Sequence, residues 1–185
     1  MTVAFDLDGV FIDRPPFVPR SLLEWLYRGP QTNGPSYRFP TTKAEQIVRK
    51  LSHHHRLRPA FAQNIAFLHQ LLSGFPHDKF YLVSSRYNFL KQPTEAVLSR
   101  YGLVSPALKV YMNECNEQPH LFKERMVKRL KIDIFIEDDP RTAYYLARCC
   151  PGVKILYYHP NGKIKSNGPI IIRQLPEVGR YLKAK

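Results

Sequence analysis

The run Val3-Ala4-Phe5-Asp6-Leu7-Asp8-Gly9-Val10 constrains this chain more than any other stretch. An apolar segment leads straight into two carboxylates one residue apart, then a glycine. Alternate residues of a strand share a side, so Asp6 and Asp8 start out pointing the same way. Gly9 lets the backbone turn sharply just past them. Two carboxylates at a strand's carboxyl edge repel unless a cation or a shared proton relieves them. The pair points either to a metal site or to paired nucleophile and acid/base chemistry. An acidic turn after an edge strand fits the same residues, because turns favour Asp and Gly. The rest of the chain decides between these readings.

With 185 residues, 44% of them hydrophobic, the chain can fill one core and carry a small insert. No apolar run approaches bilayer length, so no membrane partner is expected. The N-terminus reads as a strand rather than a signal peptide. The cysteines Cys115, Cys149 and Cys150 make no disulfide framework, and a bridge between the adjacent pair would be strained. Reduced thiols in a cytoplasmic compartment are expected. Lys plus Arg number 28 against 15 Asp plus Glu, a formal charge of +13. Such a field attracts polyanions and phosphorylated solutes, although a merely soluble, charged surface accounts for it as well. It carries no sequence-specific recognition of nucleic acid by itself.

Residues 14–58 hold nine basic residues against Glu24 and Glu45, broken by many prolines and glycines. Two helices are expected there, Ser21–Tyr27 and Thr41–Leu51, with Ser21 and Thr41 or Thr42 as caps. Regular organisation resumes at Pro59. Phe61, Ile65, Leu68 and Leu72 recur at helical spacing over 59–73, with Pro59 suited to the first turn. Phe80–Val83 reads as a buried strand running into Ser84-Ser85-Arg86. A helix at about 93–101 ends at Gly102. Strands follow at Leu108–Met112, Ile132–Ile136 and Val153–Tyr158, separated by helices at Pro119–Leu130 and 141–149. The tail offers a candidate short strand at Ile170–Ile172 and a helix near 176–183. Strands alternating with helices imply an α/β fold, with a parallel sheet covered by helices on both faces. Ligands of such sheets sit beyond the carboxyl ends of the strands. Asp6, Asp8, Ser84, Glu137 and Asp138 all fall at those ends, and this convergence favours a site over an acidic turn.

Four elements line up in order: Phe5-Asp6-Leu7-Asp8-Gly9-Val10, Val83-Ser84, a lysine on the helix before the fourth strand, and Ile136-Glu137-Asp138-Asp139. This arrangement resembles the haloacid-dehalogenase-like hydrolase superfamily over almost the whole chain. The resemblance implies a Rossmann-like sheet of about five strands in the order 5-4-1-2-3. It also implies a single domain, with a core of residues 1–12 and 59–185 and a small basic, helical cap insert at about 13–58. Asp6 is then the nucleophile that forms an aspartyl-phosphate. Asp8 protonates the leaving oxygen and later helps take a proton from the attacking water. An aspartate at that position favours phosphatases or phosphomutases over the family's dehalogenases and ion pumps. Mg²⁺ is the implied cofactor, held by the Asp6 side chain, the Asp8 carbonyl and Asp138, with Glu137 or Asp139 acting through water. Asp139, like its acidic neighbours, also suits a helix N-terminus.

Ser84 is expected to hydrogen-bond a phosphoryl oxygen, with Ser85 as its rival and Arg86 as a further substrate contact. Phe122, Met126 and Leu130 define a buried stripe on the helix. At roughly 100° per residue, Lys123 lies about 60° from the centre of that stripe and Lys128 about 160°. Lys123 is therefore the lysine that can reach the site.

An insert in this position typically caps the site and selects substrate in this superfamily. Its positive charge suits a substrate with anionic groups beyond the scissile phosphate. Trp25, Tyr27, Tyr37 and Phe39 could stack a base or simply pack the insert on the core. Three adjacent histidines, His53-His54-His55, cannot all face one ion. The Ile136–Arg141 stretch is similar to 5′-deoxyribonucleotidase-like members. The expected activity is Mg²⁺-dependent hydrolysis of a small phosphorylated substrate such as a nucleotide. The alternatives are a phosphatase on nucleic-acid ends and an inactive, basic nucleic-acid-binding protein of the same fold.

Overall fold

The computed structural model describes residues 1–16, 35–160 and 168–182. The first apolar run forms β1 (Thr2–Phe5), and its side chains divide between two cores as the two-residue period of a strand requires. Val3 and Phe5 enter one buried cluster and Ala4 the other. Around it lie β2 (Lys79–Tyr87), β3 (Leu108–Asn113), β4 (Ile134–Glu137), β5 (Lys154–Tyr158) and β6 (Ile170–Ile172). The order is β3-β2-β1-β4-β5-β6 and every pairing is parallel. The expected five-strand order is present, and β6 adds a sixth strand beside β5. The short Ile170–Ile172 run is too brief to be decided by periodicity alone.

The helices are α1 (Lys43–Ser52), α2 (Ala62–Gly74), α3 (Lys91–Arg100), α4 (Pro119–Leu130), α5 (Pro140–Cys149) and the short α6 (Gly179–Leu182). Leu68 and Leu71 of α2, and Val97 and Leu98 of α3, pack with Phe5 and Ile136 on one face of the sheet. Phe122 and Met126 of α4, and Ala143 and Leu146 of α5, pack with Ala4 and Phe135 on the other. Each fully buried side chain of this size stabilises the fold by about 1.5–3 kcal/mol through removal of apolar surface from water. Among the described residues no helix is long and apolar enough to cross a membrane.

Several boundaries differ from expectation. The helix expected at 59–73 begins at Ala62, and the Pro59 carbonyl instead accepts the Asp13 N–H at 2.8 Å. That bond ties the two ends of the basic segment together. Strand β2 continues past Val83 to Tyr87, with a register shift between Ser84 and Tyr87. An irregularity of this kind re-aims side chains at a strand end. Strand β4 starts at Ile134 because Lys131, at φ 51°, turns the chain out of α4. The tail forms a 3₁₀ turn at Leu175–Val178 before α6. Thr42 caps α1 by accepting the Glu45 N–H. The helix expected at Ser21–Tyr27 lies outside the described residues.

Candidate active site

Parallel strands bring their carboxyl ends to one edge, and β1, β2 and β4 are adjacent there. Asp6 follows β1 directly, and its N–H donates to the Ile136 carbonyl at 2.9 Å, which locks the two strand ends together. The side chains of Asp6, Glu137 and Asp138 offer carboxylate oxygens that all lie within 4.8 Å of one another. Gly9 is part of the same construction. At φ +72°, a Cβ on Gly9 would stand 1.7 Å from Asp138 Oδ2. Only a glycine lets the Asp6–Gly9 turn close over that carboxylate.

Lys123 reaches the cluster from α4, where its side chain is 3% exposed. Its Nζ donates to Glu137 Oε2 at 2.6 Å and lies 3.1 Å from Asp6 Oδ1. Burial alone would push its ammonium towards the neutral form, but Asp6 and Glu137 outweigh burial and hold it protonated. The acids shift upward together. Burial raises Asp6, with Asp8 adding and Lys123 opposing. Burial also raises Asp138 well above the usual carboxylate range, with Asp6 and Glu137 adding. Glu137 is pushed up to about 8 by burial, against the pull of Lys123. Three crowded carboxylates with one ammonium form an oxygen-rich, anionic pocket that a hard divalent cation would relieve. The donor set suits Mg²⁺. Asp6 and Asp138 are the side chains able to ligate it. Glu137 is occupied on both oxygens, by Lys123 and by the Asp139 N–H at 3.2 Å, and so orients its neighbours.

Asp139 has another occupation. Its Oδ2 accepts from the Thr142 N–H at 3.1 Å, capping α5, and from the Tyr37 hydroxyl. Ser84 is fully buried at the end of β2, and its Oγ has no hydrogen-bond partner among the described residues. The hydroxyl is thus available to donate at the carboxyl end of β2, next to the carboxylate cluster's strands. Ser85 is half-buried, and its carbonyl accepts from Asn113 Nδ2 at 3.3 Å.

Asp8 stands apart from the carboxylate cluster. Arg86 binds it through both edges of the fork, Nε to Oδ2 at 2.8 Å and Nη2 to Oδ1 at 2.7 Å. Arg58 adds Nη2 to Oδ1 at 2.5 Å. Burial would raise the Asp8 carboxyl, but the two guanidiniums override it and hold the group well below the usual carboxylate range. Arg86 was expected at the substrate; here its guanidinium serves Asp8 and, through Nη1, Thr94 Oγ1 at 3.2 Å. The neighbouring His53 is kept neutral by burial and by Arg86 and Arg58, with its Nδ1 2.8 Å from the Arg49 carbonyl. His54 instead packs against the His55 ring at 4.3 Å, so the three histidines do not converge.

Sequence reasoning missed Arg58 and Gln118, while Tyr37, named there as a residue that could stack a base or pack the insert, packs against the core. The Tyr37 N–H donates to Gln118 Oε1 at 3.0 Å, and Gln118 Nε2 returns a bond to the Tyr37 carbonyl at 3.1 Å. Phe39 packs edge-on against Tyr87 at 4.9 Å. Both aromatics therefore join the basic segment to the core, while Trp25 and Tyr27 lie outside the described residues. The one signal available for Arg58 was its place beside Pro59, where the segment returns to the core.

No protein-family model matches this sequence, and no curated protein matches it. Among solved structures, one similar chain belongs to the Pnkp1/Rnl/Hen1 RNA repair complex, with 14% identity and a TM-score of 0.45 over 84% of this chain and 41% of that one. This chain therefore spans about two fifths of that protein's length. A HAD phosphatase from Thermococcus onnurineus aligns over 100% of this chain and 98% of its own, with 16% identity and a TM-score of 0.57. That full-length likeness, together with the sheet order, shows that the chain has a haloacid-dehalogenase-like fold.

Proposed function

We propose that this protein is a Mg²⁺-dependent phosphomonoesterase that works through an aspartyl-phosphate on Asp6. The observation that carries the reading is the convergence of Asp6, Glu137 and Asp138 around Lys123 at the carboxyl edge of the sheet. An Asp6 oxygen forms a bond to phosphorus as the bond from phosphorus to the leaving oxygen breaks. Water then attacks the phosphorus, the bond to Asp6 breaks, and inorganic phosphate leaves. Bound by Asp6, Asp138 and the Asp8 carbonyl, Mg²⁺ supplies the positive charge that lets a carboxylate meet a phosphate dianion. Lys123 stays protonated and neutralises part of the same charge from the core side. The Ser84 hydroxyl is a donor for a phosphoryl oxygen. Asp8 is the group assigned to exchange the proton with the leaving oxygen and the attacking water, a role that requires substrate binding to loosen the hold of Arg58 and Arg86 on its carboxylate.

The substrate class follows from charge. A small phosphorylated metabolite such as a nucleotide fits a site edged by a short basic segment. The +13 charge favours a second reading, a phosphatase acting on nucleic-acid ends. The test is release of inorganic phosphate from an aryl phosphate, from nucleoside monophosphates and from end-phosphorylated oligonucleotides, with and without Mg²⁺. Asp6→Asn is expected to abolish release in every case while retaining the wild-type circular dichroism spectrum. Unchanged turnover in that variant rules Asp6 out as nucleophile. An oligonucleotide preference that falls steeply with salt selects the second reading. No release from any substrate, with salt-dependent binding of polyanions, would leave only an inactive basic protein.

A further inference from the structure

Helix α1 turns its polar side to the protein and its apolar side away from it. Ala44, Ile47, Val48 and Leu51 recur at i, i+3, i+4 and i+7, the spacing that gathers side chains into one stripe. Ile47, Val48 and Leu51 are 58%, 52% and 59% exposed, and Leu57, in the turn that follows, is 45% exposed. The opposite side of the helix is buried. Arg49 Nη2 donates to the Arg38 carbonyl at 2.8 Å, and Nδ1 of the buried His53 stands 2.8 Å from the Arg49 carbonyl. Polar contacts therefore hold α1 in place, and its apolar stripe is left over. An exposed apolar patch rimmed by polar residues marks a surface that meets something else. The rim here is cationic. Lys43 and Lys50, two helical turns apart, line one flank of the stripe, and Arg56 stands beside Leu57; all three are exposed. Glu45 is the only acid between Arg38 and Arg58, and Arg38 pairs with it.

We propose that α1 docks this protein on an anionic lipid bilayer. The aliphatic stripe enters the boundary between headgroups and acyl chains, while Lys43, Lys50 and Arg56 stay among the lipid phosphates. A net charge of +13 draws the whole molecule to such a surface. The lack of a bilayer-length apolar run bears on crossing a membrane and not on lying on one. Other occupants match only half of the patch. Nucleic acid would satisfy the cations and leave the stripe in water, because aliphatic side chains offer bases no stacking face. A second copy would cover the stripe and set the cations of the two copies against each other. A stable dimer also needs about 20–30 residues a side, far more than this stripe supplies.

The experiment is co-sedimentation of the full chain with vesicles of phosphatidylcholine alone and of phosphatidylcholine mixed in equal parts with phosphatidylglycerol. Binding to the mixed vesicles is expected to be at least about tenfold tighter than to the neutral ones and to weaken as salt rises. The double variant Ile47→Ala, Leu51→Ala should weaken it by about tenfold or more, because alanine keeps the helix and removes the apolar contact. The double variant Lys43→Gln, Lys50→Gln should weaken it by about fivefold per lysine. Leu121→Ala, which removes a 44%-exposed leucine from α4, should bind like wild type. If either double variant does not fold, Leu57→Ser, outside the helix, takes its place and should weaken binding by about threefold. A loss with the lysine pair and none with the apolar pair would mean that the cations bind alone, and it overturns the proposal. So do equal binding to both vesicles, binding to neither, and a loss with Leu121→Ala as large as that of the apolar pair. A lipid-free dimer in sedimentation equilibrium that Leu51→Ala takes apart gives the stripe to a second copy and overturns the proposal equally. Phosphate release enters none of these readouts, so the phosphatase reading stands or falls separately.

Discussion

A glycine and a carboxylate share one small space at the centre of this site, and neither can change without moving the other. Gly9 sits at φ +72°, a conformation that costs other residues about 1–3 kcal/mol. A methyl group there would also stand 1.7 Å from Asp138 Oδ2, so the Asp138 side chain would have to swing away. Asp138 belongs to the carboxylate cluster and, with Asp6, is one of its two side chains able to ligate an ion. Gly9→Ala is therefore expected to lose about 1–3 kcal/mol of stability and, separately, about 10- to 100-fold in Mg²⁺ affinity. Thermal melting along a Mg²⁺ titration reads both quantities. A variant that melts lower but keeps the wild-type Mg²⁺ midpoint would show that Asp138 does not hold the ion.

Elements carry the site as strand ends and helix faces, and the legibility of each in the sequence follows its range. The helix expected at Pro119–Leu130 has those bounds, and the i, i+4, i+8 stripe of Phe122, Met126 and Leu130 placed Lys123 inward, where it meets Asp6 and Glu137. That Asp6 and the Glu137-Asp138 pair lie at one edge was legible because apolar runs lead into them on neighbouring strands, whereas the choice of Asp138 within the pair came from the family resemblance. The extension of β2 through Ser84-Ser85-Arg86 was not, because polar residues there break the alternation that marks a strand. Nor was the Arg58–Asp8 pair, since 50 residues separate the partners and nothing local distinguishes Arg58 from eight other cations in its segment. The Tyr37–Gln118 strap spans 81 residues and joins a loop to the start of α4. Each of its two bonds contributes about 0.5–1.5 kcal/mol net. Gln118→Ala should accordingly speed hydrogen exchange of the Tyr37 amide by roughly tenfold while leaving β1 and β4 amides protected. Unchanged exchange at Tyr37 would show that the hydroxyl contacts to Asp139 and Thr142 hold this segment without Gln118.

For the molecule as a whole, the buried carboxylates make stability depend on pH and on the divalent ion together. Glu137 has an ordinary value near 4.5 and is pushed up to about 8 in the fold. Between those values the folded chain holds a proton that the unfolded chain has lost. The folded state thus binds more protons, and stability must fall as pH rises through that window. The contribution is fully present below about pH 4.5 and is gone above about pH 8. Net charge acts in the other direction, because a chain already at +13 gains further positive charge on acidification and repels itself more strongly. The two slopes separate when wild type is compared with Glu137→Gln, which shares the background charge of the rest of the chain and lacks the titrating carboxyl. In EDTA, the melting temperature of wild type relative to Glu137→Gln should decline from pH 5 to pH 8. With Mg²⁺ present the ionised carboxylates gain a partner, so the increase in melting temperature on adding Mg²⁺ should be larger at pH 8 than at pH 5. A difference curve that is flat in EDTA, with an equal Mg²⁺ effect at both pH values, would mean that Asp6 and Asp138, with Glu137 beside them, do not hold an ion, and the hydrolytic chemistry proposed for this edge of the sheet would lose its physical basis.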